Sequence, residues 1–313
     1  MKEIGYAKPL FVQPFDHRGS FTKGFFGITG EPAVEPGKEE FLQVSRAKLV
    51  VYRGLLRAIE LGVSRDHLGI LIDTQFGGPI IADAKAKQVP VAVCVERTGK
   101  DVFDFEYGAR WLDHIRFIQP DMVKVLVRYH PQGDPAANAE QLTRLKLLSD
   151  AIHATDDLVF MFELLVGATT PEEKAAGAAF DTELRPRAMV EAIRAIQEFG
   201  VEPDIWKIEG LDRRADAEAV SAQARSGSSA DGKSRANVGC ILLGRGSNQE
   251  QVYKWLTVAA PVPGFIGFAV GRTNFSAPLK SFIADPAQEA AAIEAIARNF
   301  KGCVDTWEAA RQG

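Results

Sequence analysis

Short apolar runs alternate with longer amphipathic ones along the whole chain. Eight short runs read as strands: "LFVQPF" (10–15), "LGILID" (68–73), "PVAVCVE" (90–96), "MVKVLVRY" (122–129), "LVFMFELLV" (158–166), "DIWKIEG" (204–210), "VGCILLG" (238–244) and "FIGFAVG" (265–271). Each is rich in Val, Ile, Leu or Phe, the pattern of strands covered on both faces. Helical periodicity predicts helices over 38–61, 139–153, 184–199, 249–260 and about 286–310. Gly200 is a natural stop for the third, and Ser247 or Asn248 can cap the fourth. Eight strands interleaved with helices predict an α/β protein, a single (β/α)8 TIM barrel over residues 1–313. The alternative, a doubly wound open sheet, lacks a GxGxxG after its first strand. The Ser/Gly-rich "RSGSSADGKSRAN" (225–237) predicts a flexible loop. It precedes strand seven, so it belongs at the N-terminal face, away from chemistry.

The C-terminal ends of barrel strands converge on one mouth, and every predicted strand delivers a charge there. Strand one ends in Asp16, His17 and Arg18, strand two in Asp73, strand three in Glu96. Strand four carries Lys124 and Arg128, strand five Glu163, strand six Lys207 and Glu209. Strands seven and eight end in "LGRGSN" and "AVGRT". The period of two puts Ile205, Lys207 and Glu209 on one face of strand six, and Trp206 and Ile208 on the other. If the Trp/Ile face packs on helices, Lys207 points into the barrel, where an unpaired ammonium costs several kcal/mol or loses its proton. A structural ion pair with Glu209 or Glu163 satisfies that demand. So does chemistry: an unprotonated amine is a nucleophile toward carbonyls. Lys124 would then supply a neighbouring cation and Glu163 a proton shuttle. Gly244, Arg245 and Gly246, with Gly271 and Arg272, make two anion-site loops at the usual barrel phosphate position.

Composition narrows the partners. The net charge of -4 and pI near 5.8 give no basic excess for nucleic acid or an anionic membrane. No apolar run is long enough to span a bilayer, and no signal peptide is evident, so a cytoplasmic protein is expected. Cys94, Cys240 and Cys303 form no CxxC pair. The five histidines show no HxH or HExxH spacing, and no metal or cofactor is expected. His17 and His130 could nonetheless approach the mouth and hold a metal with Asp73 or Glu163. A homo-oligomer stays open.

"FDHRGSF", "LIDTQFG", "VERTG", "MVKVLV", "FMFELLV" and "DIWKIEG" resemble, in order, the strand ends of class I tagatose-1,6-bisphosphate aldolases and their sulfofructose-phosphate relatives. "VRYHP", "DTELRP", "VEPDIWKIEGLD", "LGRG" and "VPGFIGFAVGRT" are similar to the aldolase-like domain fused behind 5-dehydro-2-deoxygluconokinase in myo-inositol catabolism. The resemblance covers nearly the whole chain, without the kinase half. It implies a Schiff-base lysine at Lys207, with Asp16, Lys124 and Glu163 on matching active-site positions. It implies phosphate contacts from "LGRG" and "VGRT", and 5-dehydro-2-deoxygluconate 6-phosphate as substrate, cleaved to dihydroxyacetone phosphate and malonate semialdehyde. "VRYHP" departs from the tyrosine–aspartate that usually ends strand four in the tagatose enzymes. In the expected site Arg18 or Arg128 meets a carboxylate, and Asp73 and Glu209 contact substrate. A metal-dependent lyase, an isomerase or epimerase, and a non-catalytic sugar-phosphate binder are the alternatives on the same barrel.

Overall fold

A computed structural model describes residues 3–29, 36–155 and 157–312. Eight parallel strands close in sequence order: β1 (Leu10–Pro14), β2 (Leu68–Ile72), β3 (Val91–Cys94), β4 (Met122–Arg128), β5 (Val159–Leu165), β6 (Ile205–Glu209), β7 (Gly239–Leu243) and β8 (Phe265–Ala269). β8 pairs with β1, so no edge remains. The helices are α1 (Gly19–Phe26), α2 (Glu39–Glu60), α3 (Gly78–Ala86), α4 (Trp111–Ile118), α5 (Pro135–His153), α6 (Pro171–Ala175), α7 (Arg185–Glu198), α8 (Arg214–Ala224), α9 (Gln249–Ala259), α10 (Arg272–Ala284) and α11 (Glu289–Gln312). The (β/α)8 barrel expected from the apolar pattern is the fold. Among the described residues no helix is long and apolar enough to cross a membrane.

Boundaries differ where capping outweighs periodicity. α5 starts at Pro135, ahead of the expected 139, because Asp134 accepts from the Ala137 N–H at 2.7 Å and proline suits the first turn. α11 starts at Glu289, after a 3-10 turn over Pro286–Gln288. The Ser/Gly-rich segment lies before β7 at the N-terminal face, and Arg235 ties it to Glu202 by two contacts of 2.7 Å.

Alternation along the strands builds two cores. Phe11, Ile70, Val93, Phe160, Phe162, Trp206, Ile208, Leu242 and Phe268 face outward into the shell shared with the helices. Leu10, Val12, Leu71, Ala92, Met122, Met161, Ile205, Ile241 and Ile266 fill the barrel interior. Each fully buried large apolar side chain stabilises the fold by roughly 1.5–3 kcal/mol. The inner plug ends abruptly on one side. Two residues beyond Met122, Met161 and Ile205 come Lys124, Glu163 and Lys207, so the apolar plug is the floor on which the charges stand.

Candidate active site

Lys124 and Lys207 are almost fully buried, and both ammonium groups contact Glu163 Oε2, at 2.9 and 2.8 Å. Ladder register explains the meeting: Glu163 on β5 lies directly opposite Lys207 on β6, and β4 flanks β5 on the other side. Lys124 also contacts Asp16 Oδ2 at 2.9 Å and Glu96 Oε1 at 2.8 Å. Lys124 donates hydrogen bonds to Asp16 and Glu96 and is ion-paired with Glu163 as well, three carboxylates around one ammonium. Among the described residues Lys207 has one such partner, Glu163. Glu209, expected as a possible partner of Lys207, turns elsewhere. It accepts from the Val166 N–H at 3.0 Å and meets Arg245 at 3.0 Å and Arg185 at 3.5 Å.

These contacts separate the carboxyls. Burial raises Glu163, but the charges of Lys124 and Lys207 outweigh it and hold the group below its usual range. Asp16 is likewise buried and likewise overruled, chiefly by Lys124, to a strongly lowered value. Glu96 goes the other way: burial raises it, and Lys124 only partly offsets the rise. Lys124 itself is penalised by burial yet raised well above the lysine range by Asp16, Glu163 and Glu96, so it stays a cation. Burial holds the His17 imidazole down at about 4, neutral at pH 7.

The β1–α1 turn that carries Asp16 is anchored from behind. Lys48 of α2 donates to the carbonyls of Phe15 at 2.8 Å and His17 at 2.9 Å, and to Asp73. Asp73, expected near substrate, is 1% exposed and also accepts from the Phe76 N–H at 2.8 Å. It supports the turn and lies behind the mouth. Arg18 is similarly engaged, with Glu106 at 2.7 Å and the Glu96 carbonyl. Arg128 stands at the exposed end of β4 with no ion-pair partner among the described residues.

The two glycine loops meet beside Lys207. Arg245 has φ +48°, a left-handed conformation uncommon for a side-chain-bearing residue, followed by Gly246 at φ +72°. A Cβ on Gly246 would press on the Arg272 guanidinium at 3.4 Å, and one on Gly271 would strike the Pro14 carbonyl at 2.5 Å. Arg272 opens α10, whose first N–H groups lack intrahelical acceptors. Arg245 is partly neutralised by Asp181 at 2.6 Å and Glu209; Arg272 has no ion pair among the described residues. Gly244, Arg245, Gly246, Gly271, Arg272, His17, Glu163 and Lys207 line a small cavity of about 50 Å³. His17 and Glu163 also line a larger one of about 330 Å³, with Asp16, Glu96, Lys124 and Arg128. The largest described cavity, about 770 Å³, lies at the opposite face around 226–235 and contains none of these groups.

Asp16, Cys94 and Glu96 bring three potential ligand atoms within 4.8 Å of one another. The Lys124 ammonium occupies the space between the two carboxylates, and burial keeps the Cys94 thiol well above its usual value. This donor set fits a lysine better than a cation. His130 lies apart, bonded to Glu173 at 2.9 Å. Sequence reasoning missed Lys48, whose helix position resembles any other; it named Glu96 only as a strand-end charge and His17 only as a possible metal ligand, and gave neither a catalytic or substrate-binding role.

Fold and site together define a (β/α)8 barrel with a buried lysine–carboxylate centre at its C-terminal mouth. The chain belongs to the DUF2090 family, described as "uncharacterized protein conserved in bacteria", matched over residues 6–311. Among curated proteins none matches it by sequence. In structure it is similar to a fructose-bisphosphate aldolase from Plasmodium falciparum, crystallised with TRAP and a small-molecule inhibitor, with TM-score 0.62 and 10% identity over 96% of this chain and 91% of that one. It is also similar to Cgl0159 from Corynebacterium glutamicum, with TM-score 0.53 and 18% identity over 94% and 86%. At these identities the likeness concerns the fold.

Proposed function

We propose that the protein is a class I aldolase acting on a phosphorylated keto substrate through an imine at Lys207. The observation that carries this reading is the shared oxygen of Glu163. It pairs with one lysine surrounded by two further carboxylates and with one that opens onto a cavity walled by anion-binding loops. The fold likeness to an aldolase supports it, as do the sequence motifs.

In this reading the substrate phosphate rests between Gly244–Gly246 and Arg272, next to Lys207. The Lys207 ammonium gives a proton to Glu163, and the free amine attacks the ketone carbon. Glu163 returns that proton to the carbinolamine hydroxyl, which leaves as water and gives a protonated imine. Glu163, ionised at neutral pH, or Asp16 then accepts the proton of the hydroxyl two carbons from the imine. The C–C bond between them breaks, an aldehyde leaves, and its bonding electrons become an enamine on Lys207. Protonation of the enamine carbon and hydrolysis return the amine. Lys124 stays charged and keeps Asp16 and Glu163 ionised. Glu96, pushed toward its neutral form, is the carboxyl best suited to hold a proton between steps.

The preferred substrate in this reading is 5-dehydro-2-deoxygluconate 6-phosphate. Its ketone lies one carbon from the phosphate-bearing carbon, matching the adjacency of Lys207 to the anion loops, and cleavage yields dihydroxyacetone phosphate and malonate semialdehyde. A coupled assay for dihydroxyacetone phosphate with this keto acid and a panel of ketose phosphates tests the reading. Wild type should turn over at least one, and Lys207→Arg should turn over none. Chelator-sensitive turnover that survives in Lys207→Arg would falsify the lysine mechanism. Phosphate-ester binding with no turnover across the panel would favour a binding protein.

A further inference from the structure

We propose that Arg245 serves the phosphate cradle through its backbone, while its side chain is held off the phosphate by a ring of four charges in which Asp181 is the positioning residue. This rests on the assignment of the phosphate to the glycine loops, and sharpens it by naming Arg272 as the guanidinium that meets the anion.

The segment "DTELRP" (181–186) supplies two members of the ring. Asp181 Oδ1 meets Arg245 at 2.6 Å and Arg185 at 3.2 Å. Glu209 Oε1 meets the same two arginines, at 3.0 and 3.5 Å. Each carboxylate oxygen is therefore shared between both guanidinium groups, and the charges balance. Arg185 also donates to the Gly210 carbonyl at 3.2 Å, which fixes the ring to the end of β6. Glu209 and Arg185 are buried, whereas Asp181 and Arg245 are 44% and 39% exposed. Glu209 and Arg245 line the adjoining groove of about 500 Å³, and neither Asp181, Arg185 nor Glu209 lines the small cavity beside Lys207. The ring thus stands on the far side of the turn from the phosphate.

The backbone at Arg245 explains why it needs holding. The Ser247 N–H donates to the Gly244 carbonyl at 2.9 Å, closing a turn across Arg245 at φ +48° and Gly246 at φ +72°. Two successive positive φ angles make a primed turn, whose central positions usually go to Gly, Asn or Asp. An arginine persists there only where its surroundings fix it. The ring fixes it through the side chain. Thr273 of α10 fastens the other end, its hydroxyl donating to the Ser247 carbonyl at 2.8 Å. Held in this way, the Arg245 and Gly246 N–H groups have no acceptor among the described residues, and both residues line the small cavity. Successive free N–H groups in such a turn form an anion-binding concavity. Arg272 lines the same cavity without an ion pair among the described residues, so its fork is available to the phosphate.

Calorimetry with glycerol 3-phosphate, which has no ketone and forms no imine, tests the proposal. Wild type should bind it, and Arg272→Gln should weaken binding about 10- to 100-fold, as expected for lost charge-assisted hydrogen bonds. Asp181→Ala should weaken it about 3- to 10-fold by loosening Arg245. Charge alone predicts the opposite sign, because removing a carboxylate near an anion site favours the anion. Arg245→Gln should lose about as much as Asp181→Ala, and the double variant no more than about 2-fold beyond the larger single loss. Asp181→Glu keeps the carboxylate and should stay within about 2-fold of wild type. Asp181 and Arg245 lie on the exposed side of the ring, and an unchanged thermal midpoint would show that the variants are folded. Tighter or unchanged binding in Asp181→Ala, losses that multiply in the double variant, or a loss in Arg245→Gln as large as in Arg272→Gln overturns the proposal. So does a loss in Asp181→Glu equal to that in Asp181→Ala. No binding to wild type at millimolar concentration would remove the cradle and the proposal with it. The imine at Lys207 is scored separately, by turnover, and can fail while these affinities hold.

Discussion

Lys48 and Lys207 are both ammonium groups inside one barrel, and they are held in opposite ways. Lys48 is fully buried, with Asp73 and two carbonyls as acceptors and the rings of Phe21 and Phe76 at 5.2 and 5.6 Å. Its three donors are used, and it lines none of the described cavities. Lys207 meets Glu163 and opens onto the space between the glycine loops. Burial alone therefore does not mark a reactive lysine; the difference lies in the donors left over. Lys124, with two hydrogen bonds and three carboxylates around it, stands closer to Lys48, although it lies within the site. That makes Lys124 a fixed charge, and Lys207 the amine able to exchange partners.

The largest effect should separate the two lysines by activity. Lys207→Met should lower turnover by about 10⁴-fold or more, as expected when a nucleophile is lost, and should move the thermal midpoint less than Lys48→Met does. Next, Glu163→Gln should lower turnover about 10²- to 10⁴-fold, because a neutral amide cannot accept the proton from Lys207. A variant with near wild-type turnover would remove Glu163 from the proton path. Lys48→Met should act on stability instead. It leaves Asp73 buried and uncompensated, a loss of roughly 3–5 kcal/mol, measurable by chemical denaturation. Adding Asp73→Leu should recover part of that loss; no recovery would show that packing rather than charge holds the β1–α1 turn.

The smallest effect concerns pH. His17 is held neutral down to about 4 in the folded protein, whereas a free imidazole protonates near 6.5. Between those values the unfolded chain binds the extra proton, so stability is fully present above about pH 6.5 and falls as the pH drops toward 4. The loss across the whole window should be roughly 3 kcal/mol, and His17→Gln should show a flatter stability profile there. Parallel profiles for the variant and wild type would mean that burial does not hold the His17 imidazole down.

How far the sequence reached follows from the same contrast. Continuous apolar runs marked all eight strands, and the period of two placed Lys207 inward and Trp206 outward, as found. Strand-end logic brought Asp16, Lys124 and Glu163 to one mouth, because topology alone decides that. It could not tell which charges were already engaged. Asp73 and Arg18 sit at strand ends as expected, yet their partners, Lys48 on α2 and Glu106 in the β3 hairpin, come from segments whose packing no local pattern encodes. Glu209 was read as a neighbour of Lys207 from spacing along one strand. Instead it reaches Arg185 on α7 and Arg245 in the loop after β7. The short helices α1, α3 and α8 escaped periodicity, since eight to eleven residues give little pattern to read.

The central claim is that Lys207 becomes covalently bonded to substrate. Incubation with dihydroxyacetone phosphate or the phosphorylated keto acid, reduction with borohydride and peptide mass spectrometry test it directly. The account predicts a reduced adduct on Lys207, absent in Lys207→Met and absent from Lys48 and Lys124. No adduct in a protein that turns the substrate over, or an adduct on Lys124 in place of Lys207, would contradict it.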